Sequence, residues 1–191
     1  MILADRWSSL DEILAAHPDL RIDLGCGYVK PAGYVGLDDL RGVGGLAGQL
    51  PSVEGGPDVL LDLNADPYPF PDGSAAEVRS RHFLEHSLLD HVFEQSHRIL
   101  RAGGLFVAIV PYANSADGLA PGHGVFLTER FFERNPSFGQ KFEITRITYR
   151  QSEEWEAWPR LLRRLIPYDW ARTHLFNVCK EMRVEAVRRP G

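Results

Sequence analysis

The stretch RIDLGCGYVKPAGYVGLDD (residues 21–39) contains two short apolar runs, each closing on a polar signature. The first, LRIDL (20–24), passes straight into Gly25-Cys26-Gly27, and the second, YVGLD (34–38), ends in Asp38-Asp39. Both runs have the length and residue types of strands. Glycine directly after a strand lets the backbone pass close to a bound molecule. A carboxylate at the end of the next strand is an acceptor for ribose hydroxyls, the place an acidic residue takes in nucleoside-binding sheets. From Gly25 to Gly33 there are nine residues, fewer than the dozen or so that a parallel crossover uses, and Pro31 forbids a regular helix through them. An irregular loop is therefore expected where a crossover helix normally stands.

Outward from this stretch the chain alternates. Trp7, Leu10, Ile13 and Leu14 fall at helical spacing after Asp5, with Pro18 as a stop. DVLLDL (58–63), after a loop containing Gly and Pro, predicts a third strand apolar on both faces, and AEVRSRH (76–82) a fourth. Leu84, Leu88, Val92 and Ile99 or Leu100 mark one side of a long helix ending at Arg101-Ala102-Gly103-Gly104. LFVAIVP (105–111) reads as a buried fifth strand, LTERFFERN (127–135) as a helix, and KFEITRITYR (141–150) and EMRVEAVRR (181–189) as two late alternating strands. Strands alternating with helices, with polar features collected after strand ends, predict an α/β protein with an open, mostly parallel sheet and an antiparallel C-terminal edge. No repeat, low-complexity segment or linker divides residues 1–191, so one domain is expected: an N-terminal helix (1–19), a ligand-binding core (20–112) and a cap or acceptor segment with the terminal strands (113–191).

Composition excludes several classes. With 44% hydrophobic and 25% charged residues the chain is neither disordered nor membrane-spanning in character. The start, MILADRWSSLDE, lacks the basic and apolar regions of a signal peptide, and a cytoplasmic location is expected. Cys26 and Cys179 are expected to be thiols. Residues 1–129 carry 8 basic and 18 acidic side chains, residues 130–191 carry 13 and 8, and the net charge is −5. A nucleic-acid partner is therefore not expected. The basic segment WPRLLRRLIPYDW (158–170) has two readings, an anionic-partner or membrane-surface helix and an ordinary amphipathic helix with its leucines on the body and its arginines in water. The second is preferred.

A nicotinamide fingerprint needs a third glycine where Lys30 stands, and a Walker A sequence is absent. The pattern that remains suits a cofactor with a ribose but no phosphate. DLGCG (23–27), GLDD (36–39), DLNADPYPFPDGSAAEV (62–78), RHFLEH (81–86) and RILRAGGLFVAIVP (98–111) come in the order and spacing of class I S-adenosylmethionine-dependent methyltransferases of the type 11 group. They most resemble the small predicted methyltransferases whose glycine loop is followed almost at once by the second strand. The resemblance covers about residues 20–112 and implies a Rossmann-like fold, S-adenosylmethionine as cofactor and methyl transfer to a small or medium-sized acceptor through an oxygen, nitrogen or carbon nucleophile, a sugar or natural product among the candidates. It places Asp23, Gly25, Cys26 and Gly27 around the methionine moiety, Asp38 on the ribose, Asp62 and Leu63 on the adenine, and His82 beside the sulfonium. Two alternatives stand beside it: a non-catalytic protein that binds the same ligand or serves as a scaffold, and, less well supported, an NAD(P)-dependent oxidoreductase. The missing crossover helix leaves one wall of the methionine site open, to be covered by the N-terminal helix or by a second subunit of a homo-oligomer.

His82 and His86 are the candidate general bases, because imidazole titrates near operating pH; Glu85 and His86 could equally serve only to cap the long helix. Tyr112, Asn114 and His123, which follow the fifth strand, are candidate acceptor contacts, Asn114 and Ser115 being equally suited to a turn. Among His82, His86, His91, His97 and His123 there is no HExxH, and Glu85 would project about 100° away from His86 on a helix, so no metal site is expected. Cys26 lacks an activating neighbour and is expected to fill space. The aromatics of 112–180, Phe131, Phe132 and Phe138 with the tryptophans, are expected to form a lid or acceptor wall, the alternative being an aromatic core beneath a helical cap.

Overall fold

The structure, a computed structural model, describes residues 1–40 and 56–190. Most of the loop before the third expected strand lies outside the described residues. Eight strands form one sheet: β1 (Ile2–Leu3), β2 (Arg21–Leu24), β3 (Val35–Asp38), β4 (Val59–Leu60), β5 (Ala75–Arg81), β6 (Leu100–Pro111), β7 (Phe142–Gln151) and β8 (Cys179–Arg188). Their spatial order is β1-β4-β3-β2-β5-β6-β8-β7. β2 to β6 run parallel, β8 lies antiparallel between β6 and β7, and β1 is antiparallel to β4. This is the Rossmann-like sheet with an antiparallel C-terminal edge that the alternation predicts. The sequence order reverses at β2, which has β3 on one side and β5 on the other, and that is where open α/β sheets bind ligands.

The helices are α1 (Leu10–Ala16), α2 (Leu89–Ile99), α3 (Glu129–Arg134), α4 (Pro136–Lys141), α5 (Glu153–Glu156), α6 (Arg160–Leu165) and α7 (Tyr168–His174). Between β2 and β3, residues 25–34 hold turns and no helix. Ser9 caps α1 by accepting from the Glu12 N–H. α2 buries Val92, Phe93, Ser96 and Ile99, one stripe at helical spacing. Phe93 meets Phe138 at 5.2 Å between ring centroids, and Phe106 stacks on Phe142 at 4.8 Å. Ile22, Leu37, Val78, Phe106, Met182 and Val184 share this main core, so the late strands close the same interior as the early ones.

Several boundaries differ from the sequence expectation. The third strand is only Val59–Leu60, because Asp62 closes a turn in which its carboxylate accepts from Asn64 N and Asp66 accepts from Asp62 N. The long helix divides into a 3-10 turn at Leu84–His86 and α2, since Ser87 is extended and its hydroxyl donates to Phe83 O. β6 begins at Leu100, five residues before the expected start, where Leu100 pairs with Ala75. α4 and β1 were not foreseen. Phe132 and Phe138 belong to the main core, as in the aromatic-core alternative. α6 overturns the preferred reading of the basic segment: none of its residues is buried, and Leu161 and Leu165 are each 71% exposed. Its arginines instead line a cleft with Trp155 and Tyr168. Among the described residues, no helix is long and apolar enough to cross a membrane.

Candidate functional site

At the carboxyl ends of β2 and β5 lies an open cleft of about 420 Å³. Asp23, Gly25 and Cys26 supply its β2 side and Arg79, Arg81 and His82 its β5 side; Val29, Lys30 and Pro31 close it from the loop. The parallel register sets Asp23 beside Arg79, whose guanidinium donates to the Asp23 carboxylate at 2.5 Å. Asp23 is 2% exposed, and burial pushes its carboxyl up to about 6 against the opposing pull of Arg79. Gly25 turns at φ 64°, and a Cβ there would fall 2.5 Å from Phe83, so only glycine fits between the turn and that ring. Gly27 has nothing within 4 Å of an added Cβ, so its open face can take a ligand.

The short crossover is held flat by two features. A Cβ on Gly36 would meet the Cys26 sulfur at 2.7 Å and Lys30 Cδ at 3.1 Å, so the bare glycine is what lets residues 26–30 lie on β3. Asp58, 1% exposed, accepts from Lys30 Nζ, from Trp7 Nε1 at 2.7 Å, from Gly36 N at 2.7 Å and from Arg6. Burial alone would raise its pKa, but these bonds outweigh it and hold the carboxyl below the usual range. Asp38 accepts from Gly27 N and Leu40 N, both at 2.6 Å, and so ties the glycine loop to the end of β3. Burial, with Asp38 and Asp23 nearby, pushes the Cys26 thiol far above its ordinary range, which suits a space-filler and not a nucleophile.

The sequence candidates do not all meet. Asp23, Gly25, Cys26 and His82 share the cleft, whereas Gly27 and Asp38, bonded to each other, stand beside it without lining it. Leu63 is in the main core and Asp62 in the turn after β4; neither lines the cleft. The Tyr112 hydroxyl donates to Glu129 at 3.0 Å and accepts from Arg172 at 3.1 Å, in a buried brace, while the Asn114 amide donates to Leu175 O at the end of α7. His82 has φ 52°, uncommon for a side chain other than glycine. Its Nε2 lies 2.8 Å from Glu181, whose carboxyl this bond holds below the usual range. Arg79, Arg81, Lys30, Asp58 and Glu181 escaped the sequence reading. His86 and His123 stand edge to face at 4.7 Å, next to Glu85. Glu85 and His86 occupy a 3-10 turn and not the expected helix, and His123 arrives from a loop, so the 100° separation expected on a helix does not apply.

No family model matches the chain, and no curated protein matches it. Solved structures do: the fold is that of class I S-adenosylmethionine-dependent methyltransferases. A SAM-dependent methyltransferase of Archaeoglobus fulgidus superimposes with a TM-score of 0.61 at 14% identity, over 93% of this chain and 92% of its own. A complex between the Haloferax volcanii Trm112 methyltransferase activator and a protein assigned as a methyltransferase gives 0.58 at 17%, over 97% and 90%. Geranyl diphosphate C-methyltransferase of Streptomyces coelicolor, solved with Mg2+, geranyl diphosphate and S-adenosyl-L-homocysteine, gives 0.57 at 16%, over 95% and 78%. Likeness at this level of identity carries the fold and not the reaction.

Proposed function

We propose that the cleft binds S-adenosylmethionine and that the protein transfers its methyl group to a small or medium-sized acceptor. The observation that carries this reading is the Asp23–Arg79 pair beside the Gly25 turn at the point where strand order reverses. An adjacent carboxylate and guanidinium complement the ammonium and carboxylate of an amino acid. The cofactor, when bound, supplies an electrophilic methyl group on a sulfonium. Asp23 then accepts from the ammonium and Arg79 donates to the carboxylate, each exchanging its present partner for one of the ligand's charges. Asp38, whose oxygens each have lone pairs beyond those used by Gly27 and Leu40, accepts from the ribose hydroxyls. Glu181 engages His82 Nε2, leaving Nδ1 to hold or take a proton from the acceptor. Most of the acceleration would come from positioning and the exclusion of water.

Thermal melts with S-adenosylmethionine, S-adenosylhomocysteine, NAD and NADP test the reading, since a ligand bound only by the folded state raises Tm. The two adenosyl ligands are expected to stabilise and the nicotinamides not. Asp38→Ala is expected to weaken S-adenosylhomocysteine binding by about 1–3 kcal/mol. Stabilisation by NAD alone would overturn the reading, and binding with no methylated product across an acceptor panel would favour the non-catalytic alternative.

A further inference from the structure

Glu85 is 2% exposed, and neither of its carboxylate oxygens has a hydrogen-bond partner among the described residues. A buried carboxylate without donors is costly. What faces it is a pair of imidazoles: one ligating atom each from Glu85, His86 and His123 lie within 4.8 Å of one another. The imidazoles are oriented as well as close. His86 Nδ1 is 3.0 Å from Gly122 O and His123 Nδ1 is 3.1 Å from Gly118 O. A carbonyl only accepts, so each Nδ1 carries a proton, and in the neutral tautomer so fixed Nε2 is the atom free to bind a metal; a backbone carbonyl on the far nitrogen is the usual support of a metal-binding histidine. The loop that delivers His123 is itself fastened to the turn, because Gly124 N and Val125 N donate to Glu85 O at 2.8 and 3.2 Å.

We propose that Glu85, His86 and His123 form a three-ligand site for a divalent transition-metal ion. Two imidazoles and one carboxylate suit Zn2+, Mn2+, Fe2+ or Co2+ and not the all-oxygen preference of Ca2+ or Mg2+. Bonds of about 2.0–2.2 Å require ligand atoms about 3–3.5 Å apart, which small side-chain rotations reach from the present spacing. His86 is exposed, so the set is open on one side, and three protein ligands leave coordination positions for water or a substrate oxygen. The site adjoins the cleft through the chain: His82 lines the cleft, and Phe83 packs on Gly25. Under the methyl-transfer reading, an open position would take an acceptor hydroxyl and lower its pKa, the proton leaving to water on the exposed side. That use rests on the reading above; occupancy of the site does not.

The experiment uses full-length protein stripped with a chelator and titrated with Co2+, followed by visible absorption, with Zn2+ as competitor and Tm as a second readout. One equivalent per chain is expected, with a rise in Tm, and Glu85→Gln, His86→Ala and His123→Ala are each expected to weaken binding tenfold or more. Glu85→Gln removes the buried charge and should melt without metal at or above the wild-type temperature. His86→Ala changes an exposed residue and decides the matter if either of the others fails to fold. Uptake of less than one equivalent by the wild type overturns the site, as does Co2+ binding by His86→Ala as tight as that of the wild type. S-adenosylhomocysteine is titrated in parallel on the wild type, so that a lost cofactor signal and a lost metal signal are separate results.

Discussion

Asp23 is the residue whose charge state is most disturbed by the site it helps to build. Its carboxyl rises from 3.8 to about 6 through burial, so the folded chain holds a proton there between those values while the unfolded chain does not. The linked stabilisation is complete below pH 4 and is lost as pH rises through about 6, leaving the ionised form about 2–3 kcal/mol less favourable at neutral pH. Asp23→Asn removes this titration. Urea unfolding of both proteins from pH 4 to 7.5 should show the variant gaining on the wild type across that window; a difference flat with pH would mean that Asp23 does not carry the raised pKa. The same variant should bind S-adenosylhomocysteine about tenfold more weakly for want of an anionic acceptor. Gly25 could be found in the sequence because it directly follows a strand, and Asp23, Cys26 and His82 were reached through the resemblance, which sets them beside it. Arg79 and Arg81 were visible only as alternate residues of a strand; that Arg79 meets Asp23 depends on β5 pairing with β2, which no local pattern encodes. Asp58 and Glu181 were hidden for the same reason, since Asp58 meets Arg6 and Trp7, and Glu181 meets His82, only across the sheet.

Among the elements, α7 is held by one buried arginine. Arg172 donates to Glu129 of α3 at 2.6 Å, lies with its guanidinium carbon 4.0 Å from the centre of the Tyr149 ring of β7, and meets the Tyr112 hydroxyl at the end of β6. Side-chain exposure of the pair is 10% and 14%, and Glu129 is held below the usual carboxylate range by Arg172 despite its burial. Removing Glu129 leaves the buried guanidinium with only the exposed Asp169 carboxylate, 3.2 Å from its Nε, so Glu129→Ala should cost about 2 kcal/mol. It should also loosen the small second core of Trp155, Ala171 and Val178, seen as earlier proteolysis after Arg172. A loss below about 0.5 kcal/mol would show the brace to be incidental. Elements with a strong period were legible: β2, β3, α2, β7 and β8 stand near their expected places. The failures have local causes. A continuous apolar spacing through residues 84–100 concealed the extended Ser87 that separates turn from helix. In α6 the leucines show which side is apolar but not whether anything covers it, and here they remain exposed.

Across the whole molecule, the missing crossover helix is compensated by the N-terminal segment that precedes β2. β1 extends the sheet beyond β4, and Arg6 and Trp7 reach Asp58, the same carboxylate that accepts from Lys30 of the cleft and Gly36 of β3. Neither β1 nor α1 lines the cleft; the N-terminal segment supports the loop without covering it. One carboxylate thus couples the chain's start to the loop expected to hold the cofactor, and the coupling can be measured. In Asp58→Asn the Lys30 ammonium, 11% exposed, loses its counter-charge in a nearly buried position, which should cost about 3 kcal/mol of stability. S-adenosylhomocysteine affinity should fall as well, although Asp58 does not line the cleft, because Lys30 and the residues before it are no longer held to β3. Arg6→Ala separates the two halves of this coupling. The Arg6 side chain is 36% exposed, and its removal leaves Lys30, Trp7 and Gly36 on Asp58, so the expected cost is about 1 kcal/mol with ligand affinity unchanged. If Asp58→Asn destabilises the protein while affinity stays at the wild-type value, the loop keeps its shape without the N-terminal support, and Gly36 alone accounts for the short crossover.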